Sequence, residues 1–594
     1  MILPPTKRAK TSQNDVDDDI YFSQEVIEQP ERFKEEFLSS AGKPFSHNII
    51  SNICPDEFLT QVLDEIKQNT KVNFKESDLF KFYQSIDLAN VNEREHGGIM
   101  PCLLKLKQSL YSAKFRNFVE KICNLEENTL TEKVDCAANC HTTGCHLLCH
   151  DDVIGTRKVS FIIYLTDPKI DWTAEHGGQL ELYGSNSGEK QDVRLQPDTV
   201  PMKTILPTFN SMAYFVVEPG ESFHSVQEVF GDSPRLSIQG WYHAEDLPRN
   251  IHNATLSRLK STEKGEDTED PFIAIEDEED SQESGGSSNE CPSLTEAEFT
   301  DLKKYINETY LKPESMEEIR KRFEEESSVQ LRHFLTKEWE EVIKVSSAKE
   351  DHDHKLGSGL PALDYNVGEN ECWKILGPSH KQRFLEYNRN CEERKEDEEQ
   401  NAKDVGMLLQ QLKEKLFQSK TFSKFLMSIT SLCRPTGCRG RVRRFRPGLD
   451  YTVAHYGILT TSAVLDATLC FVAGNGNQCM YDEQFGDLIG DDADAVWESG
   501  DVGGFECYIS AEDEDEDEEI AQKDADDEYN AESDTELLSV SASNNTLSLV
   551  YRDPGTMRFV KYVASNAPSS RWDVSIEYEV PDDNEIENSP EESG

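Results

Sequence analysis

The stretch LLCHDDVIGTRKVSFIIYL, Leu147–Leu165, decides how the chain is read. In its second half Val159, Phe161, Ile163 and Leu165 fall on one side of an extended backbone and Ser160, Ile162 and Tyr164 on the other, the pattern of a strand covered on both faces. In its first half His150 and Asp152 stand two positions apart. On extended chain that spacing points both side chains the same way, so both can reach one metal ion. Further along, NSMAYFVVEPGESFHSVQEV (residues 210–229) reads as a strand pair supplying His224, and SPRLSIQGWYH (residues 233–243) supplies Arg235 eleven residues later. Two imidazoles and one carboxylate leave about three coordination positions of an ion open, the arrangement that suits non-haem iron(II) oxygenases. A 2-oxo acid can chelate two of those positions and dioxygen take the third. Arg235 would then offer the planar fork that pairs with a distant carboxylate. A lone His-x-Asp occurs by chance in many chains; its specificity here comes from the combination on strands, in chain order, with GGQLELYG (residues 177–184) between the halves.

LLCHDDVIGTRKVSFIIYL, GGQLELY, FHSVQEV and RLSIQGWYH together resemble the 2-oxoglutarate- and iron-dependent prolyl 3-hydroxylases that modify a small-subunit ribosomal protein at the decoding centre. The likeness is strong over residues 30–250 and architectural beyond. It implies a double-stranded β-helix with iron(II) held by His150, Asp152 and His224, and with Arg235 and Tyr164 on the distal carboxylate of 2-oxoglutarate. It also implies the co-substrate dioxygen, ascorbate as an accessory, and a basic ribosomal protein hydroxylated at C3 of a proline. Translation or transcription regulators are further implied partners, and nucleus and cytoplasm the implied locations. One departure stands out: the chain reads HTTGCH (residues 141–146) just before the first ligand, and His141 takes the place of a tyrosine that lines the 2-oxoglutarate pocket in relatives. A non-catalytic oxygen or 2-oxoglutarate sensor is the alternative reading.

The C-terminal half repeats the pattern. YTVAHYGILTTSAVLDATLCFVAG, GGFECYIS and NTLSLVYRDPGTMRFVKYV lay over the corresponding N-terminal stretches. Without gaps, His455 matches His150, Gly457 falls at Asp152, Phe559 at His224 and Leu469 at Tyr164. Arg571, near the place of Arg235, reads as a surface residue at a strand start. One imidazole cannot hold iron(II) usefully, so the expected fold is mainly β with flanking helices (α+β): two tandem jelly rolls, the second lacking the metal site.

At 594 residues the chain exceeds what one core supports. The expected divisions are a disordered tail (1–28), a catalytic domain (29–250), an acidic linker (251–292), and a helical segment plus second jelly roll (293–590) with an acidic loop at 511–534. Capping boxes are expected at Ser293 with Glu296 and at Ser315 with Glu318. A net charge of −53 opposes direct contact with nucleic acid or an anionic membrane and favours a basic protein partner. No apolar run spans a membrane and the N-terminal residues do not form a signal peptide, so a soluble intracellular protein is expected. Cys136, Cys140, Cys145 and Cys149 lack the paired spacing of a zinc site and read as free thiols filling strands.

Overall fold

The computed structural model describes residues 21–186, 195–259, 271–275, 294–357, 359, 361–388, 404–460, 462–474, 492–511 and 536–581. The acidic loop expected at 511–534 lies almost wholly outside them, as do most of the linker and residues 1–20 of the tail.

The chain is mixed α+β, with two large antiparallel sheets in succession. In the first, curled sheet the strands run in the order His47–Ser51, Ser211–Val216, Arg157–Tyr164, Arg235–Ala244, Leu130–His141, Phe80–Ser85, His146–His150, His224–Val226, Leu180–Leu182 and Lys203–Ile205. The alternation in Arg157–Tyr164 and the residue after it does the sorting. Val159, Phe161, Ile163 and Leu165 join a core with the N-terminal helices, while Ile162 and Tyr164 pack inside the curl. Helix Asp56–Asn69 shows why a helix covers the outer face: Leu59, Val62, Leu63 and Ile66 form one buried stripe at helical spacing. Among the described residues no helix is long and apolar enough to cross a membrane.

The expected tail is shorter than residues 1–28. Gln24–Ile27 is helical, and Phe22, 3% exposed, stacks on Phe115 at 3.9 Å, so burial of this aromatic anchors the segment. Part of the expected linker is likewise ordered, since Ile273–Ala274 adds to the second sheet beside Gly437–Phe445. The next helix carries a capping box of Thr295 with Glu298; Ser293, expected to pair with Glu296, lies outside the described residues. Ser315 sits inside a helix that begins at Pro313, where the fixed proline φ suits the first turn without a side-chain cap.

The second sheet repeats the strand order of the first. Thr546–Arg552, Val464–Phe471, Arg571–Glu579, Gly437–Phe445 and Gln382–Tyr387 neighbour one another as Ser211–Val216, Arg157–Tyr164, Arg235–Ala244, Leu130–His141 and Phe80–Ser85 do. Two glycines fix the register between the copies. Gly177 (φ +67°) bridges Val229, and a Cβ on it would come within 2.0 Å of the Glu228 carbonyl oxygen; Gly503 (φ +68°) bridges Val563, and a Cβ on it would lie 1.9 Å from that of Tyr562. Both positions demand glycine for conformation and for space.

The two sheets meet across a buried seam in which Leu79, Phe80, Phe82 and Leu148 pack with Tyr451, Val453 and Tyr562. Glu228 reaches across it, accepting from the Ser565 backbone N–H (2.8 Å), the Ser565 hydroxyl (2.9 Å) and the Tyr562 hydroxyl (3.2 Å). Burial pushes the Glu228 carboxyl up to about 7, against the pull of those hydrogen bonds and of Lys81. The folded protein thus keeps a proton that the unfolded chain releases near the ordinary glutamate value. The stability this supplies is fully present below about pH 4.5 and is lost as pH rises through about 7. Glu228→Gln, whose amide can meet the same partners, is expected to flatten that part of the pH–stability curve. It should stabilise the protein at pH 8 by about 3 kcal/mol, the linkage value of a shift from 4.5 to about 7 at roughly 1.4 kcal/mol per pH unit, read from urea unfolding at several pH values.

Candidate metal and co-substrate site

His150 ends one strand and His224 begins its neighbour, and the two pair directly across the ladder, their ring centroids 4.3 Å apart. Each imidazole is oriented from behind by a backbone carbonyl. His150 Nδ1 lies 2.8 Å from the Leu148 oxygen and His224 Nδ1 2.9 Å from the Ser222 oxygen. An Nδ1–H donated there leaves Nε2 as the ligand atom of both rings. Asp152 follows in a left-handed turn (φ +63°), a conformation aspartate tolerates better than most residues. That turn brings Asp152 Oδ1 to 3.2 Å from His150 Nε2 and Oδ2 to 3.3 Å from His224 Nε2, while the Ser160 hydroxyl donates to Oδ2 at 2.9 Å.

One ligand atom from each of the three residues lies within 4.8 Å of the others, and this is the one such metal-competent group among the described residues. Burial would raise the Asp152 carboxyl, but the His224 and His150 imidazoles overcome it and hold it well below the usual carboxylate range. It is therefore an anion ready to coordinate. Cys136, Cys145 and Cys149 are buried free thiols outside the group.

Deeper in the curl, Arg235 is 1% exposed and pinned by its Nε donating to the Gly178 carbonyl at 2.7 Å. Gly178 has φ +67°, and a Cβ there would come within 2.8 Å of Arg235 Cδ. Tyr164 lies beside it, with the guanidinium 5.2 Å from the ring centroid. His141 is paired with Arg235 across the ladder, is 1% exposed and stacks on Phe82. Burial first and the Arg235 charge second hold the His141 pKa well below its ordinary value, so its ring is neutral.

Five atoms of this pocket are buried with no hydrogen-bond partner among the described residues: Arg235 Nη2, Tyr164 Oη, both ring nitrogens of His141, and His224 Nε2. Buried polar groups are ordinarily satisfied, and a cluster of orphans mixing donors with neutral imidazole nitrogens matches an anionic, oxygen-rich ligand beside a metal. The residues present thus fit iron and 2-oxoglutarate.

Facing His150 and Asp152 on the other side is a cavity of about 150 Å³ walled by Phe80, Phe82, Asn139, Gln239, Arg157 and Trp241. The Arg157 guanidinium lies 3.6 Å from the Trp241 ring centroid. Sequence reasoning missed this pair. Arg157 has the parity of the outward-packed Val159, and a register shift between Tyr242 and His243 is the irregularity next to it.

Residues 136–243 match the 2OG-Fe(II) oxygenase superfamily, and residues 297–587 match the family described as oxoglutarate and iron-dependent oxygenase degradation C-term. A relative from Ostreococcus tauri, named prolyl 3,4-dihydroxylase OGFOD1, is 37% identical over 543 residues, which cover 90% of this chain and 95% of that one. The chain belongs to the OGFOD1/Ofd1 family of prolyl hydroxylases. Prolyl 3-hydroxylase sudestada1 of Drosophila melanogaster is 26% identical, over 86% of this chain and 78% of its own. Prolyl 3-hydroxylase OGFOD1 of Mus musculus is 26% identical over 92% and 91%. As an OGFOD1-family oxygenase the protein uses iron(II) and 2-oxoglutarate, and its class of activity requires a protein substrate.

In the second sheet the strand register revises two of the gapless matches. Arg571 pairs with Phe445 as Arg235 pairs with His141, so Cys470, opposite Asp573, holds the position of Tyr164, which is opposite Ser237. Leu469 corresponds to Ile163 and faces the helices. Likewise Arg558, opposite Tyr508, corresponds to His224, opposite Leu182, and Phe559 corresponds to Ser225. His455 does fall at the place of His150 and Gly457 at that of Asp152, counted along the paired strands. Arg571 is not a surface residue: it is 2% exposed, with Nη2 at 3.3 Å from Asp573.

Proposed function

We propose that the protein hydroxylates C3 of a proline in a basic small-subunit ribosomal protein, using His150, Asp152 and His224 as iron ligands and Arg235 with Tyr164 as the anchor for 2-oxoglutarate. Both sheets are read as double-stranded β-helices, the second without the metal ligands. The observation that carries the site assignment is the line of orphaned atoms from His224 to Arg235, a polar track that a chelating 2-oxo diacid would satisfy. When bound, iron and 2-oxoglutarate supply the oxidising power: one atom of dioxygen leaves in succinate as carbon dioxide departs, and the other becomes the hydroxyl of the product.

The chain's own residues do the positioning. Leu148 and Ser222 carbonyls aim the two imidazoles, Ser160 steadies the carboxylate, and Gly178 fixes the guanidinium. Phe80, Phe82 and Trp241 give the substrate cavity apolar walls that fit a pyrrolidine ring and exclude water, and Arg157, stacked on Trp241, presents a donor to the substrate backbone. A ribosomal substrate is supported by the −53 charge, which steers a cationic protein toward this one. His141 completes the co-substrate wall as a neutral group, replacing a tyrosine hydroxyl with a ring nitrogen.

The test is oxidation of proline-bearing peptides from small-subunit ribosomal proteins by the whole chain with iron(II) and 2-oxoglutarate. The expected result is a one-oxygen mass gain, with the hydroxyl placed at C3 by NMR. A two-oxygen gain would assign dihydroxylation, the activity in the name of the Ostreococcus relative, and no gain on any such peptide would remove the ribosomal substrate.

A further inference from the structure

The inner face of the second sheet keeps the geometry of the first and carries a different chemistry. In the register given above, Asp135, Ala137 and Asn139 are replaced by Arg439, Arg441 and Arg443, and His224 by Arg558. These four arginines, with Arg552, line a cavity of about 290 Å³, and Glu577 is the one carboxylate on its wall among the described residues. The other balancing acids sit behind or beside it. Arg443 is held by Asp573 through Nε (2.8 Å) and Nη2 (3.1 Å), Arg558 by Glu506 through Nε (2.6 Å), and Arg552 by Asp466 through Nε (2.8 Å).

Such pairing alone would make the network structural. Two features go beyond that. Arg443, on the cavity wall, has an Nη1 that makes no hydrogen bond among the described residues. A wall of fixed cations in a chain of net charge −53 also runs against the whole composition. Arginines already immobilised by ion pairs lose little side-chain freedom when a ligand arrives.

We infer that this cavity binds a compact dicarboxylate. Its volume lies at the lower limit for small-molecule sites, roughly 300 Å³, which suits a short diacid and not a nucleotide. Arg441 and Arg443 recur on one face of their strand at about 6.6 Å, so two guanidinium forks can each take one end of a diacid with a short aliphatic spacer. Carboxylates are the matched partners of such forks. The same chemistry has two sources: a free diacid such as succinate, which the reaction of the first sheet releases, or neighbouring acidic side chains on a peptide. The inference concerns the second sheet alone and does not depend on the residue roles proposed for the first.

The experiment uses the whole chain, iron-free and carrying Arg235→Ala, and measures binding of carbon-13 succinate by NMR and of a peptide of alternating glutamate and glycine by fluorescence anisotropy. Arg443→Gln and Arg441→Gln are added singly. Arg441 is half-buried with its Nε 3.5 Å from the half-buried Glu386, so Arg441→Gln is expected to keep the thermal midpoint if Arg443→Gln, which removes two hydrogen bonds from the buried Asp573, does not fold. Succinate binding weakened at least fivefold by Arg441→Gln establishes a free diacid as the ligand. Peptide binding weakened likewise, without succinate binding, establishes the same chemistry on a peptide. Absence of both, or binding indifferent to Arg441 and Arg443, overturns the inference; residual succinate in the first sheet would show that indifference.

Discussion

Asp152→Ala is expected to lower hydroxylation at least about 100-fold, beyond the 10- to 100-fold that loss of a group merely supporting a metal ligand costs. Its carboxylate lies between the two imidazoles, within 3.3 Å of both Nε2 atoms, and supplies the only negative charge in the triad. Without it two neutral nitrogens remain, and selectivity for iron is lost because ligand number and type are what confer it. The comparison that isolates this cause is Ser160→Ala, which keeps all three ligands and removes the hydroxyl that donates to Asp152 Oδ2 at 2.9 Å. Iron affinity should fall about tenfold there, with activity recovered at high iron. Asp152→Ala should recover nothing. Bound iron measured by elemental analysis after gel filtration, beside product by mass spectrometry, checks both; turnover by Asp152→Ala at saturating iron would remove the carboxylate from the metal site.

The site was legible in the sequence where side-chain parity on a strand determines direction. His150 and Asp152 two apart, and the Val159-to-Leu165 alternation, needed no tertiary information to be placed on their faces. Parity also explains the errors. Matching Leu469 to Tyr164 is a slip of one position, and a slip of one moves a side chain to the opposite face, here from the inner curl to the helix-packed core. Matching Phe559 to His224 is the same slip, and it concealed that the second metal position is taken by an arginine. Arg157 escaped notice because a register shift is a property of two strands together. Phe22 escaped because an aromatic in an acidic segment gains its anchor only when Phe115 is folded beneath it.

Arg235→Lys is expected to raise the 2-oxoglutarate KM about 100-fold while leaving most of kcat at saturating co-substrate. Two charge-assisted hydrogen bonds to a carboxylate contribute about 1.5 kcal/mol each or more, and about 3 kcal/mol is roughly a hundredfold in affinity. An ammonium keeps the charge and loses the fork. Tyr164→Phe, removing a single hydroxyl, should raise KM about tenfold or less. Stability separates this from general damage. Without ligand, Arg235 is a buried cation whose Nε donates to Gly178, its pKa lowered chiefly by burial and its Nη2 without a hydrogen-bond partner among the described residues. A desolvated charge so poorly compensated costs stability, so Arg235→Met should leave the ligand-free protein as stable as the parent or more stable. The parent should gain thermal midpoint on adding 2-oxoglutarate, because ligand binding to the folded state shifts unfolding by mass action, and Arg235→Met should gain almost none. A variant that loses its midpoint without ligand would instead make Arg235 a structural residue. The predicted pattern, a guanidinium that costs stability until a diacid arrives, follows directly from its burial and its missing partner.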